Sequence, residues 1–297
     1  GKERHMTDFI NKILWATDFS DEAYEAFTYA DIFAMTFGAE IFGLHVIPGF
    51  SPEHYQSAIV VIDELKKRSE FMKNAAAERF ESFKKAKGVT FEYFIKDGNA
   101  SKVIVETAEE LEADLIVIGR KGLSAIERLF IGNVANQVLR HSPIPILVTK
   151  KKSRKPRFKK ILVPTDFSEQ EEVERDYAWK LAKGFDADIT LLHILELHDY
   201  EFPPRVLDEM LDAVHKRLKQ RKRKEKEDIK ITEEITRAID APVGIVDYAD
   251  THKTDLIVIS TCAQSKLERF FLGSTTEKVI SYSNIPIFAI PPSHCKS

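Results

Sequence analysis

Apolar positions along this chain follow two rhythms in turn. Short runs rich in Ile, Val and Leu fall at 13–16, 41–46, 89–95, 115–118 and 144–148. Between them, near 21–37, 60–87, 100–111 and 133–141, apolar residues recur at three- to four-residue steps. The unbroken runs predict strands buried on both faces, and the stepped segments predict helices with one apolar side. In 60–87 the stripe is Val61, Leu65, Met72, Ala76, Phe80 and Phe83, read as a core-facing helix face. Strands alternating with helices in this way predict a parallel sheet covered on both sides.

The pattern then repeats. Thr17-Asp18-Phe19-Ser20 recurs as Thr165-Asp166-Phe167-Ser168, and His45 as His193, both at an offset of 148. Asp114-Leu115-Ile116-Val117-Ile118 recurs as Asp255-Leu256-Ile257-Val258-Ile259, and Ile144-Pro145-Ile146 as Ile285-Pro286-Ile287, both at 141. Four matches in order with one shift of 7 residues mean one domain written twice. The expected fold is α/β: two tandem, open, parallel five-stranded sheets with helices on both faces, Rossmann-like, over 6–150 and 158–293. Residues 1–5 are set aside, with Met6 read as the natural start. The stretch 150–157, basic and without apolar periodicity, reads as a solvated tether, because no aromatics are interleaved to stack on bases. In the second copy a long helix is expected near 204–227, with Val206, Leu207, Met210, Leu211, Val214 and Leu218 on one side. Its charged end, 219–228, reads as a helix projecting into solvent. Pro145 and Pro286 lack an N–H, which suits an edge strand or a strand start.

Composition narrows the function classes. A formal net charge of −3 gives no overall basic field for nucleic acid. No apolar run reaches the length of a membrane span, and no signal-peptide core opens the chain. Cys262 and Cys295 form no CxxC and no ligand cluster with the nine histidines, so neither a zinc site nor a disulfide framework is expected. A cytoplasmic location is the expectation.

Ligands of open parallel sheets bind beyond the C-terminal strand ends. After the fourth strand stands Gly119-Arg120-Lys121-Gly122, and later Gly132 and Asn133 open a helix. This is neither GxxxxGK[ST] nor GxGxxG. Its physics is related: glycines let backbone N–H groups approach an anion, and a helix N-terminus favours phosphate. Arg120 and Lys121 add positive charge. The alternative is that these glycines only shape a turn and a cap.

Ala16-Thr17-Asp18-Phe19-Ser20 after strand one, histidine-valine after strand two, and Gly-x2-Gly-x9-Gly-Asn after strand four together resemble the universal stress protein family, once per copy. The resemblance implies an adenine-nucleotide site, for ATP or AMP, in the first copy. Ala16, Thr17 and Asp18 would meet the nucleoside, and Val46 would line the adenine pocket. Ile118, Gly119 and Gly122 would wrap ribose and phosphates, and Gly132, Asn133 and Val134 would hold phosphate at the helix start. Asn133 stands where the family usually has Ser or Thr. Asp18 has a second reading as a helix-capping group. Mg²⁺ is a candidate companion ion through Asp18; no metal site of the protein's own is expected. In the second copy the weaker candidates are Pro164, Asp166, Ile194, Gly273, Ser274 and Thr275. There Ser260 and Ala263 replace the first two glycines, so little or no nucleotide binding is expected. His45 and His193 are read as hydrogen-bonded structural histidines, and Cys262 as an ordinary thiol. The family commonly pairs through its last strand, which implies an internal pseudo-dimer, with a homodimer of whole chains as a further option. Two other functions stay open: a nucleotide-free interaction scaffold, and a slow ATPase or phosphotransferase, for which no convincing general base is visible. No catalytic residue is assigned.

Overall fold

The computed structural model describes residues 9–49, 59–121, 131–150, 156–166, 171–196, 205, 209, 212, 213, 216, 229–261 and 272–291. The first copy runs β1 (Lys12–Ala16), α1 (Asp21–Phe37), β2 (Glu40–Pro48), α2 (Ile59–Lys87), β3 (Glu92–Gly98), α3 (Ala100–Glu110), β4 (Leu115–Gly119), α4 (Asn133–His141) and β5 (Ile146–Thr149). The second runs β6 (Lys160–Pro164), α5 (Glu171–Phe185), β7 (Asp188–Glu196), β8 (Ile231–Ala238), α6 (Ala241–Thr251), β9 (Leu256–Ser260), α7 (Ser274–Tyr282) and β10 (Ile287–Ile290). The five strands of each copy are parallel, as the unbroken apolar runs require.

The two halves do not stay separate. They join into one ten-stranded sheet of order β3-β2-β1-β4-β5-β10-β9-β6-β7-β8. The seam is β5 against β10, antiparallel, with Phe288 opposite Leu147. The internal pairing through the last strand is therefore present. Pro145 and Pro286 stand at strand starts rather than on edges: each precedes its strand and uses its carbonyl to accept an N–H, from Ile116 and Ile257 respectively.

Local chemistry explains the boundaries. Ser20 caps α1 by accepting the Ala23 N–H, and Gly38, at φ 73, closes it with its N–H on the Ala34 carbonyl. The strand expected from residue 89 starts only at Glu92, because the Val89 N–H still bonds back to Lys84 after the left-handed Gly88. The strand expected from 144 starts at Ile146, because the Ser142 hydroxyl holds the Ile144 N–H in a turn. Along α2 the apolar stripe is buried at Ala76, Phe80 and Phe83 and half-buried at Leu65 and Met72; the side chain of Val61 lies outside the described residues. Of the helix expected over 204–227, residues 205, 209, 212, 213 and 216 are helical and exposed, and its apolar positions lie outside the described residues.

Each face of the sheet carries one core, and each core spans both copies. On one face Phe33 of α1 packs on Phe158, Phe185 and Phe288 of the second copy. Gly184 of α5 leaves room for the Phe37 ring, where a Cβ would collide. On the other face α3 and α4 share an apolar cluster with α6 and α7. The core on each face is thus continuous across the two copies.

Candidate functional site

The turn after β1 is built by side chains that hold its own backbone. The Thr17 hydroxyl accepts the Phe19 N–H at 2.9 Å, and the Asp18 carboxylate accepts the Ser20 N–H at 3.0 Å. These bonds hold Phe19 at φ 62, a left-handed conformation that a bulky residue seldom takes. The Phe19 ring is clamped between His45 and Phe80. The Thr17 N–H donates to the Leu44 carbonyl, and His45 Nδ1 donates to the Thr17 carbonyl at 2.8 Å. In the second copy His193 meets Thr165 at the same 2.8 Å. Both histidines are thus hydrogen-bonded pins for a strand-end turn. Burial pushes the His45 imidazole below its ordinary range, against the opposing pull of the Thr17 carbonyl and Asp18. The capping group of α1 is Ser20; Asp18 acts one step earlier, by fixing Ser20's amide.

Beyond β4 the backbone is pinned on three sides. The Arg120 N–H donates to the Thr149 carbonyl at 2.7 Å, and the Lys121 N–H to the Glu22 carboxylate at 2.9 Å. The Gly132 N–H donates to the Arg120 carbonyl at 2.8 Å, which sets the start of α4 beside the end of β4. Among the described residues no side chain caps α4. Its first-turn N–H groups therefore face outward without intrahelical partners. The expected anion cradle is thereby shifted: the amides of residues 120 and 121 already have acceptors within the protein, and the helix start supplies the donors. Gly119 answers to packing as well, since a Cβ there would lie 3.1 Å from the α1 backbone at Glu22.

These elements enclose a cavity of about 230 Å³ at the C-terminal ends of β1, β2 and β4. Ala16, Thr17 and Asp18 line it from β1, Val46 from β2, Ile118 and Gly119 from β4, and Gly132, Asn133 and Val134 from α4. Gly122 lies outside the described residues. Ala100 and Ile104 of α3 complete the wall; a sequence reading passes over them because they belong to an ordinary amphipathic helix.

Arg120 also lines this cavity, but its guanidinium is turned away toward the second copy. The residue is 2% exposed and reaches into the second copy, where Nη1 lies 3.2, 2.5 and 3.3 Å from the carbonyl oxygens of Ile280, Ser281 and Ser283. These carbonyls close the last turn of α7, the negative end of a helix dipole, which attracts the guanidinium. Lys121 lines the cavity beside Arg120.

The second copy has a cavity in the equivalent place, about 470 Å³, lined by Pro164, Asp166, Ile194, Gly273, Ser274 and Thr275. Glu174 of α5 is buried in its wall and accepts the Ser260 N–H at 2.6 Å. Among the described residues its charged lining is Asp166, Glu174 and Glu196, all acids. Ala263 and Cys262 lie outside the described residues. No three His, Cys, Asp or Glu side chains converge on a metal-sized site among the described residues. No described helix is long and apolar enough to cross a membrane.

The duplicated Asp-Leu-Ile-Val-Ile also gains a reason. Asp114 accepts the N–H groups of Asn11 and Lys12, and Asp255 those of Lys159 and Lys160. Each repeat thereby fastens the start of its first strand.

Comparison with known proteins agrees with this architecture. The family model described as "Universal stress protein family" matches residues 10–150 and again 157–291. Universal stress protein MJ0531 of Methanocaldococcus jannaschii is 33% identical over 156 residues, covering 50% of this chain and 86% of that protein. The crystal structure of a universal stress protein from Archaeoglobus fulgidus covers 95% of this chain and 96% of its own, at 24% identity and a TM-score of 0.63. A further universal stress protein, solved in complex with cAMP, is 24% identical over 48% of this chain and 97% of its own, with a TM-score of 0.33.

Proposed function

The chain belongs to the universal stress protein family, once in each half, and from that premise we propose that it is a nucleotide-binding regulatory protein whose first copy takes ATP or AMP. The observation that carries this reading is the first-copy cavity, which gathers Asp18, an apolar floor and an uncapped helix start. Asp18 would accept from nucleoside hydroxyl or amine groups. Val46, Ile104 and Ile118 offer the base an apolar face, and the N-terminus of α4 with Lys121 meets phosphate. A volume of about 230 Å³ suits a base and ribose, with phosphates at the mouth. Mg²⁺ would arrive with the phosphates, since Asp18 is a single carboxylate and most ligands of the ion would be phosphate and water. The second copy binds nucleotide weakly or not at all in this reading: Glu174 occupies the Ser260 amide, and further carboxylates oppose phosphate. A cytoplasmic setting is part of the same proposal.

Thermal-shift titration with ATP and with AMP, each with Mg²⁺, tests it. A ligand of the native state at 100 times its Kd adds about 2.7 kcal/mol of stability. Stabilisation should appear in the wild type, be lost in Asp18→Ala and persist in Asp166→Ala. Absence of any shift at millimolar nucleotide would discard nucleotide binding.

A further inference from the structure

We propose that the second copy completes the ligand site of the first by holding its loop through Arg120, which acts as a positioning residue for the nucleotide cavity. The proposal rests on the nucleotide reading above for its binding arm only.

Arg120 is fastened at both ends. Its main chain joins β4 to two neighbours, through its N–H on Thr149 and its carbonyl under the Gly132 N–H. Gly132 opens α4, whose first turn lines the cavity. Its side chain crosses to the carbonyls of Ile280, Ser281 and Ser283 at the end of α7. A buried guanidinium away from these acceptors would carry a large desolvation penalty. Charge-assisted bonds to carbonyls at the negative end of a helix offset it. Residue 120 therefore cannot shift without drawing the charge off α7. The second copy in effect sets where α4 begins. Lys150, which bonds Asn284 just past the same helix end, strengthens the attachment beside β5.

The second copy supplies its own control. The residue equivalent to Arg120 is Thr261, and the backbone pattern around it is the same: N–H to Ile290, carbonyl under the Gly273 N–H. Its hydroxyl bonds Ile290 within its own copy and reaches no helix of the first. There the loop-to-helix bond is 3.4 Å, against 2.8 Å where the arginine holds the loop. The support runs one way, from the copy with the altered loop to the copy with the glycines. This gives the second copy a task that needs no ligand of its own.

The test uses the full chain and two readouts: amide hydrogen exchange at Gly132 without ligand, and ATP and AMP affinity by calorimetry. Arg120→Met keeps the length and removes the donors. It should speed Gly132 exchange by about tenfold or more and weaken nucleotide by about fivefold or more, the lower end of inter-site coupling. Arg120→Lys, with one compact donor group, should fall between and serves alone should the methionine variant fail to fold. Glu277→Gln breaks the Arg140–Glu277 ion pair across the same seam and should move neither readout. Unchanged Gly132 exchange in the arginine variants, or equal loosening by Glu277→Gln, would overturn the proposal. A wild type that binds neither nucleotide would refute the functional reading, and the exchange readout would still decide the role of Arg120.

Discussion

The loops after β4 and β9 start from the same fold and reach opposite arrangements. In the first copy Gly119 lets α1 approach, Glu22 holds the Lys121 amide, and α4 begins beside the cavity. In the second, Ser260 takes the glycine's place and Glu174, buried on α5, accepts its amide. One copy keeps a small cavity with a cation; the other keeps a larger cavity lined by acids. A duplicated frame can thus hold its strands constant while two or three residues redirect the chemistry at the strand ends. The cores diverge as well. Trp15 of β1 sits within an aromatic cluster of Phe27, Phe80, Phe83 and Phe91, and its indole N–H donates to the Ala23 carbonyl; the equivalent residue of β6 is Val163.

The largest expected effect tests that core difference. Trp15→Ala should cost about 3–5 kcal/mol of unfolding free energy, and Val163→Ala about 1.5–3 kcal/mol. Denaturant titration reads both, and equal losses would show that the aromatic cluster gives the first copy no extra stability. Next, exchange of the loop residues should be asymmetric. Gly119→Ser brings a Cβ to 3.1–3.3 Å from the α1 backbone. It should cost about 1–3 kcal/mol and abolish nucleotide-induced stabilisation. Ser260→Gly should cost about 1 kcal/mol or less, and it should not create a second site while Glu174 keeps the amide. A second equivalent of nucleotide bound by Ser260→Gly would place the whole difference in one side chain.

The smallest effect concerns His45, whose burial favours the neutral imidazole. The unfolded chain then binds more protons between the depressed folded value and the ordinary 6.5. Stability rises with pH through that window and is lost as pH falls below 6.5. Unfolding free energies measured from pH 7.5 down to 5 should fall more steeply in the wild type than in His45→Gln. Identical slopes would mean that His45 does not contribute to acid sensitivity.

The helices were legible because their signals are local. Apolar residues at three- to four-residue steps mark α1 and α3, and Asp18, Val46 and Gly132 stand in the spacing that resembles the family's. The pairing of last strands followed from the family resemblance, and the β5–β10 seam bears it out. What escaped were the side-chain contacts whose partners are distant. Arg120 reads from its neighbours as a phosphate-side cation, yet its acceptors stand 160 or more positions away. Glu174 looks like an unremarkable helix carboxylate until the fold sets it against Ser260, 86 positions on. The late starts of β3 and β5 were hidden because Val89 and Ile144 are apolar, and periodicity cannot report that their amides are held in turns.

The antiparallel seam has a consequence for how the molecule meets its surroundings. Strands are parallel within each copy, and both cavities lie at carboxyl strand ends, so joining β5 to β10 in opposite directions turns the two mouths toward opposite rims of the sheet. A partner docked over one mouth leaves the other open to solvent, and a ligand too short to span the sheet cannot touch both. The chain presents itself as a two-ended body, with each end addressed separately and any message between them carried through the protein's interior.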